Sequence, residues 1–347
     1  GVSDKCQFFS IIFFMLRLKL LIVVLFIHYS YCQPACCTVI SGSTTISQNC
    51  NCGSSPFIAT ITGNLDITST ITAGRVEITV TEVFYLSGTL TANGPLGIDI
   101  TAAKFHMEDG VISSTGLVDI VATTQGILFE GNNDIFAGTT DDLFISGTGS
   151  SQIGVEILDS LDFLRSKNVD IIGTSASNVG VRIDGLSFNA VTGSKSITGI
   201  TTSGNYGLEI IQTSNLPAAS LSNVEFYGTR SSGDGFFDKA GILFDSNIKY
   251  NTCEFNGQGG TPKSVGVLVK QAILSSINTF PSVVIGSGGK GVVFDSEVII
   301  AQQKKLDVTG YGSCYGIQFM EALQLNLNSE VNLYGYVNST DCATSDT

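Results

Sequence analysis

Apolar and polar residues alternate in short runs along most of this chain, and the runs are punctuated by glycine. Glycine followed by apolar-any-apolar occurs at Gly97-Ile-Asp-Ile, Gly126-Ile-Leu-Phe, Gly154-Val-Glu-Ile, Gly180-Val-Arg-Ile, Gly207-Leu-Glu-Ile, Gly241-Ile-Leu-Phe, Gly266-Val-Leu-Val, Gly291-Val-Val-Phe and Gly316-Ile-Gln-Phe, with gaps of 29, 28, 26, 27, 34, 25, 25 and 25 residues. A second series closes an extended segment on glycine at 147, 173, 199, 228, 257, 286, 310 and 335, with gaps of 26, 26, 29, 29, 29, 24 and 25. Period-two alternation marks strands with one buried face. Two glycine series in phase at a period of 25 to 29 residues mark one turn of a β-helix, in which each strand pairs in parallel with its copy one turn later. A propeller blade needs about 40 residues, and a leucine-rich repeat needs its Leu and Asn consensus.

The expected architecture is therefore all-β: a right-handed parallel β-helix of about ten coils over residues 57–337, rising about 4.8 Å per coil into a rod of roughly 50 Å. The apolar pairs that follow the glycines, such as Ile98/Ile100, Ile127/Phe129, Val181/Ile183, Val267/Val269 and Ile317/Phe319, should stack inward, because no single coil can bury its own core. Between each pair lies an outward position. There Glu156, Arg182 and Glu209 should form a charge ladder, and one residue further along Asp245, Lys270 and Asp295 should form another. In later coils the outward position carries Leu243, Leu268 and Val293, an apolar stripe that either forms an assembly interface or lies under a local loop.

The connection between the two glycines of a coil is short except from Gly228 to Gly241, which marks 229–240 as a corner insertion. Arg230, Asp234, Phe236, Phe237, Asp238 and Lys239 give it a mixed aromatic and charged tip. This is a candidate contact loop, since solenoid insertions gather on one face and often bind.

The N-terminus reads differently. Residues 11–27 are apolar except for Arg17 and Lys19, which a free-standing membrane span would bury. With a start at Met15, residues 15–32 read as a secretory signal peptide: a basic n-region, an apolar run from Leu20 to Ile27, and small residues at Ser30 and Cys32 before the cut. Residues 1–14 are then upstream sequence, Gln33 begins the mature chain, and no stable membrane span remains; a signal anchor is the alternative. Secretion permits disulfides. Cys36, Cys37, Cys50 and Cys52 are expected to staple a cap over 33–56, with no histidine nearby to suggest zinc. Residues 338–347 form a tail whose Asn338-Ser339-Thr340 is a candidate N-glycosylation site.

Hydrophobic residues make up 43% of the 347-residue chain, enough for a continuous core, and charged residues only 14%. Loss of Lys5, Arg17, Lys19 and Asp4 with the leader takes 17 basic and 30 acidic residues to 14 and 29, a net charge of −15. That excess repels nucleic acid. No cofactor or metal site is expected.

The run Ile285-Gly-Ser-Gly-Gly-Lys-Gly-Val-Val-Phe-Asp-Ser-Glu-Val, followed by Leu306-Asp-Val-Thr-Gly-Tyr-Gly, resembles the β-solenoid repeats of filamentous-haemagglutinin-type adhesins, and the resemblance extends loosely over residues 90–335. It implies a pectin-lyase-like right-handed β-helix and a structural or adhesive role, secreted or at the cell surface, with the chain itself or an extracellular protein or glycan as partner. The secretion domain of that family is replaced here by the short Cys-rich segment. A polysaccharide lyase, hydrolase or epimerase is the alternative, because that superfamily shares the solenoid. The mature chain has a single histidine, His106, between Phe105 and Met107, and lacks the Gly-His-Gly, Arg-x-Lys and Asp-Pro-His-Asp strings of those enzymes. Its one paired acid of hydrolase type, Asp141-Asp142, reads as a solvated corner. Ice or crystal-surface binding is a third class, suggested by Thr60-x-Thr62, Thr70-x-Thr72, Thr79-x-Thr81 and Thr89-x-Thr91. These recur every ten residues or so, which puts successive pairs on different faces.

The leader reading has a direct check. N-terminal sequencing of the secreted protein should begin near Gln33, and a start before Cys32 would contradict it.

Overall fold

The structure is a computed structural model that describes residues 36–338 apart from 189, 212–221, 232–238, 246–247, 251, 261–263, 271, 277–281, 297, 302–304 and 326–329. The leader, Asp234, Phe236, Phe237 and Asp238 lie outside the described residues. Among the described residues every regular element is a strand, and every pairing between strands is parallel save one isolated bridge. They stack into a β-solenoid of about ten turns.

Each turn has three faces. In one turn Val169–Ser175 lies on the first, Val181–Ile183 on the second and Leu186–Ser187 on the third, and Lys195–Thr201 then returns to the first. Two inward columns run the length of the rod. On the first face the column is Val39, Ala59, Ile78, Ile100, Ile120, Ile145, Ile171, Ile197, Phe226, Phe255, Val284, Val308 and Leu333, each paired with the next. On the second it runs from Ile46 and Ile67 through Leu86, Met107 and Phe129 to Val269, Phe294 and Phe319. Full burial of one such side chain contributes about 1.5–3 kcal/mol. A single coil holds only a few, so the core becomes stable by stacking.

The glycines that close the first face stand opposite one another in successive turns, from Gly147 and Gly173 to Gly310 and Gly335. A Cβ on Gly173 would run into the carbonyl of Gly180, and one on Gly286 into that of Gly291. From Gly147 onward the two series therefore mark a corner where backbone packs on backbone, and close approach selects glycine there, whereas Gly97 and Gly126 take positive φ values of 75° and 77°.

Gly97 is an exception to the first series. It precedes Ile98, which pairs with Val76 and Val118 on the first face, whereas Gly126 opens the second face at Ile127. The 29-residue step between them is thus not a turn. Early turns are shorter, at about twenty residues: Phe57 pairs with Val76, Val76 with Ile98, and Ile98 with Val118. In these turns Val80, Ala102 and Ala122 occupy the later glycine column, because the chain turns the corner with little excursion. The same shortening brings every second Thr pair into register, with Thr60 under Thr79 and Thr70 and Thr72 under Thr89 and Thr91.

At the N-terminal end disulfides join Cys36 to Cys50 and Cys37 to Cys52. They rivet the first face to the third across the opening turn, as expected of the cap. Cys253 is buried, and burial pushes its thiol up to about 12.

Gly173→Ala should destabilise the rod by about 1–3 kcal/mol, as overpacking does in other tight sites, whereas Ala122→Gly should cost less than about 1 kcal/mol. Urea unfolding measures both; equal effects would contradict the close-approach corner.

Candidate functional site

The second face carries one outward column along its length: Thr45, Asp66, Tyr85, His106, Leu128, Glu156, Arg182, Glu209, Leu243, Leu268, Val293 and Gln318. Its chemistry changes in blocks. In the middle block Arg182 bridges its two neighbours, with Nη1 2.9 Å from Glu156 Oε1 and Nε 2.7 Å from Glu209 Oε2. Burial works against the guanidinium's charge, but hydrogen bonds and charge from Glu209 and Glu156 outweigh it and hold the Arg182 pKa above its ordinary value. The predicted ladder is formed.

The third block fits the second of its two readings, cover by a local segment of the chain. Leu243, Leu268 and Val293 point away from the main core, yet they are only 1%, 2% and 4% exposed. With Ile153, Val179, Tyr206, Ala240 and Val265 they form a second, separate hydrophobic cluster. The reason lies in the corner: between its two glycines the chain runs out and back, and the residue just before the second glycine (Ile153, Val179, Tyr206, Ala240, Val265) reaches over the outward side of the second face. The stripe is thus covered within the chain.

Arg230 is corrected for the same reason. It is fully buried, and its Nε donates to the carbonyl of Gly204 at 2.7 Å, so it belongs to the corner and not to a contact tip. Ser175 and Thr201 occupy the same column, and donate to the carbonyls of Gln152 at 2.7 Å and Asn178 at 2.6 Å. Each ties its turn to the loop of the turn before. Of the remaining loop residues Lys239 is described, half-buried, with its carbonyl accepting from the Val265 N–H.

The first block gathers ionisable side chains that the sequence reading set aside. Tyr85 donates to Glu108, a bond that with burial pushes the phenol up to about 12. His106 packs edge-on against Tyr85 with ring centroids 5.0 Å apart, and its Nε2 lies 3.3 Å from Glu130 Oε2, within ion-pair reach but outside hydrogen-bond geometry. Burial, reinforced by Lys104 and opposed by Glu130, lowers the His106 pKa. Glu108 and Glu130 stand opposite each other in adjacent turns.

The first face holds an acidic column that the sequence reading missed: Glu77, Asp99 and Asp119 in consecutive turns, then Asp170, Glu225, Glu254 and Asp307, interrupted by Phe144, Ser196 and Val283. The signal was an acid between two inward apolar residues once per turn, as in Ile98-Asp99-Ile100 and Leu306-Asp307-Val308. Arg75 Nη2 lies 3.2 Å from Glu77 and 4.0 Å from Asp99. Asp141 and Asp142 lie at the corner before Leu143, where Asp142 accepts from Asn168 at 2.7 Å. Among the described residues the one close trio of potential metal ligands is Cys36, Cys37 and Cys50, all held in disulfides.

No family model, curated protein or solved structure matches this chain.

Burial raises the pKa of Asp66, Asp119, Asp134, Asp170 and Asp184. An acid whose folded pKa is raised adds stability that is present at low pH and lost as pH rises through that folded value. His106 acts oppositely: with a lowered folded pKa it costs stability as pH falls below about 6.5, its unfolded value. As pH falls from about 7 to about 5, the melting temperature of the wild type should therefore fall relative to that of His106→Gln. Parallel profiles for the two proteins over that range would contradict the buried imidazole.

Proposed function

We propose that this chain is a secreted or cell-surface rod that works by contact, as a structural or adhesive solenoid. The observation that carries the reading is the layout of its outward chemistry. Ionisable side chains are strung along the faces, as in the interrupted acidic column of the first face, and in the one group that gathers, around His106, the two glutamates are engaged by Tyr85 and His106. A surface of that kind suits repeated weak contacts with an extracellular protein or glycan, whose sum is strong through multivalency. It also agrees with the likeness of the repeats to haemagglutinin-type adhesins.

Two disulfides suit an oxidising compartment. No helix among the described residues is long and apolar enough to cross a membrane. Asn338 directly follows the last described strand, Glu330–Val337, and is exposed, with its backbone N–H donating to the Gly312 carbonyl, an open setting for an N-linked glycan.

The enzyme alternative rests on Glu108 and Glu130, the carboxylate pair nearest a histidine. Glycoside hydrolysis needs one such acid free to donate and one to attack or activate water, and here Glu108 is engaged by Tyr85 and Glu130 faces His106. The Thr array favours surface binding to a lattice only over a short reach, since Thr89 and Thr91 give way to Val111 and Ser113 in the next turn.

A screen of neutral and acidic polysaccharides with the purified chain should show no new reducing ends, unsaturated products or epimerised uronates. Turnover abolished by Glu108→Gln or Glu130→Gln would replace the contact reading with the enzymatic one.

A further inference from the structure

Cys36, Cys37, Cys50 and Cys52 are held in place twice over, by their disulfides and by the pairing of the strands that carry them. Cys50–Asn51 pairs with Ile71 and Thr72 on the third face, and the Cys52 N–H donates to the Thr72 carbonyl at 2.7 Å. Thr38–Ser41, which follows Cys37, pairs with Pro56–Ile61 on the first face, and the Cys37 carbonyl accepts from the Ile58 N–H at 2.9 Å. Beyond Cys52 the Gly53 N–H donates to Asn51 Oδ1 at 2.9 Å and tightens the turn. None of these contacts passes through a sulfur atom. The backbone therefore keeps the four cysteines facing one another when the disulfides are reduced.

The sulfurs are also close between one disulfide and the other. Cys37 Sγ lies 3.6 Å from Cys50 Sγ, and Cys50 Sγ lies 3.8 Å from Cys52 Sγ. The Sγ atoms of Cys36, Cys37 and Cys50 all lie within 4.8 Å of one another. Four thiolates around a tetrahedral zinc ion, with Zn–S bonds of about 2.3 Å, stand about 3.8 Å apart. Two of the contacts between the disulfides already have that length, so the bonded pairs, Cys36–Cys50 and Cys37–Cys52, are the ones that must part to admit an ion. The surroundings suit a closed site. Cys37, Cys50 and Cys52 are 0%, 2% and 7% exposed, and residues 36–55 contain no acid to compete for the ion and no basic side chain to repel it.

We propose that this sulfur cluster is a redox-dependent zinc site, joined by two disulfides when oxidised and by one zinc ion on Cys36, Cys37, Cys50 and Cys52 when reduced. Two equivalents of a dithiol reductant supply four electrons and four protons to the two disulfides, are themselves oxidised to disulfides, and leave four thiols. Zinc then displaces four protons, one from each Sγ, and four thiolates close its shell without water. Four soft thiolates in a tetrahedron favour zinc over the hard cations that oxygen ligands hold. The order Cys-Cys then Cys-x-Cys fits no zinc-finger spacing, because the two pairs come from different faces of a solenoid turn. In either state the same two segments are joined, so the turn stays closed in oxidising and in reducing surroundings. The site stands whether or not the faces of the rod work by contact.

Metal titration of the purified chain, oxidised and reduced, tests this with cobalt(II) as the visible probe. Reduced under nitrogen with a phosphine, the chain should bind one cobalt ion with the strong visible absorption of a tetrahedral thiolate centre, and one equivalent of zinc should bleach it. The oxidised chain should show no such absorption. The double variant Cys36→Ser, Cys50→Ser retains the Cys37–Cys52 disulfide, so far-UV circular dichroism of its oxidised form establishes that it folds; on reduction it should lack the tetrathiolate spectrum. Cys314→Ser, outside the cluster, should keep it. In the reduced wild type zinc should raise the melting temperature, and should restore the strand signal where reduction alone has lost it. A thiolate spectrum in the oxidised chain, or one that survives the double substitution unchanged, would put the ion on other cysteines and overturn the proposal. A reduced chain that binds no cobalt would overturn it too, as would one whose lost strand signal zinc does not restore.

Discussion

Parallel pairing of each turn with the next is the constraint from which the rest of this molecule follows. A strand has hydrogen-bonding groups along both edges, and in a solenoid both are satisfied only if the chain returns to the same register after every circuit. Return to register places like positions over like. The inward residues then fuse into columns that bury what no single turn could bury, and the outward residues become columns as well, whatever their chemistry. Arg182 between Glu156 and Glu209 is a favourable result of that rule. The stacked acids Glu77, Asp99 and Asp119 are a costly one, which Arg75 offsets at one end.

Corners set how the circuit closes. Where two glycines face each other the backbone turns with no room for a side chain, and the residues between them are released to fold back over the second face. That excursion builds a second hydrophobic cluster outside the first and draws Arg230, Thr201 and Ser175 into a buried hydrogen-bonded seam. Later turns are therefore thicker than early ones. The early turns keep alanine or valine at the corner and present a plain polar face on which His106, Tyr85 and their glutamates sit.

How much of this was legible in the sequence depends on which distances it encodes. Period-two alternation and the glycine spacing report contacts within a turn and between adjacent turns, and from these the all-β parallel solenoid and the Glu156–Arg182–Glu209 ladder follow. The paired cysteines of the cap were legible for the same local reason. Gly97 was misplaced because a short glycine-apolar pattern looks alike on either face, and only pairing tells them apart. Leu243, Leu268 and Val293 stayed open between an interface and a local cover because alternation gives the direction of a side chain but not what the chain lays over it. Arg230 was read as a surface charge, since the carbonyl that holds it lies 26 residues away in the preceding turn. The acidic column needed only the recurrence of an acid between inward residues, and was visible in principle.

The central claim is the in-register rise of one turn per repeat, and distances along one column test it most directly. Asp99 and Glu225 are five steps apart on the first face, and Asp99 and Asp307 eight. At about 4.8 Å per step, nitroxide labels at these positions should lie about 24 Å and about 38 Å apart by pulsed electron paramagnetic resonance, in the ratio of five to eight. Separations that do not scale with the number of turns would contradict the solenoid and every column built on it.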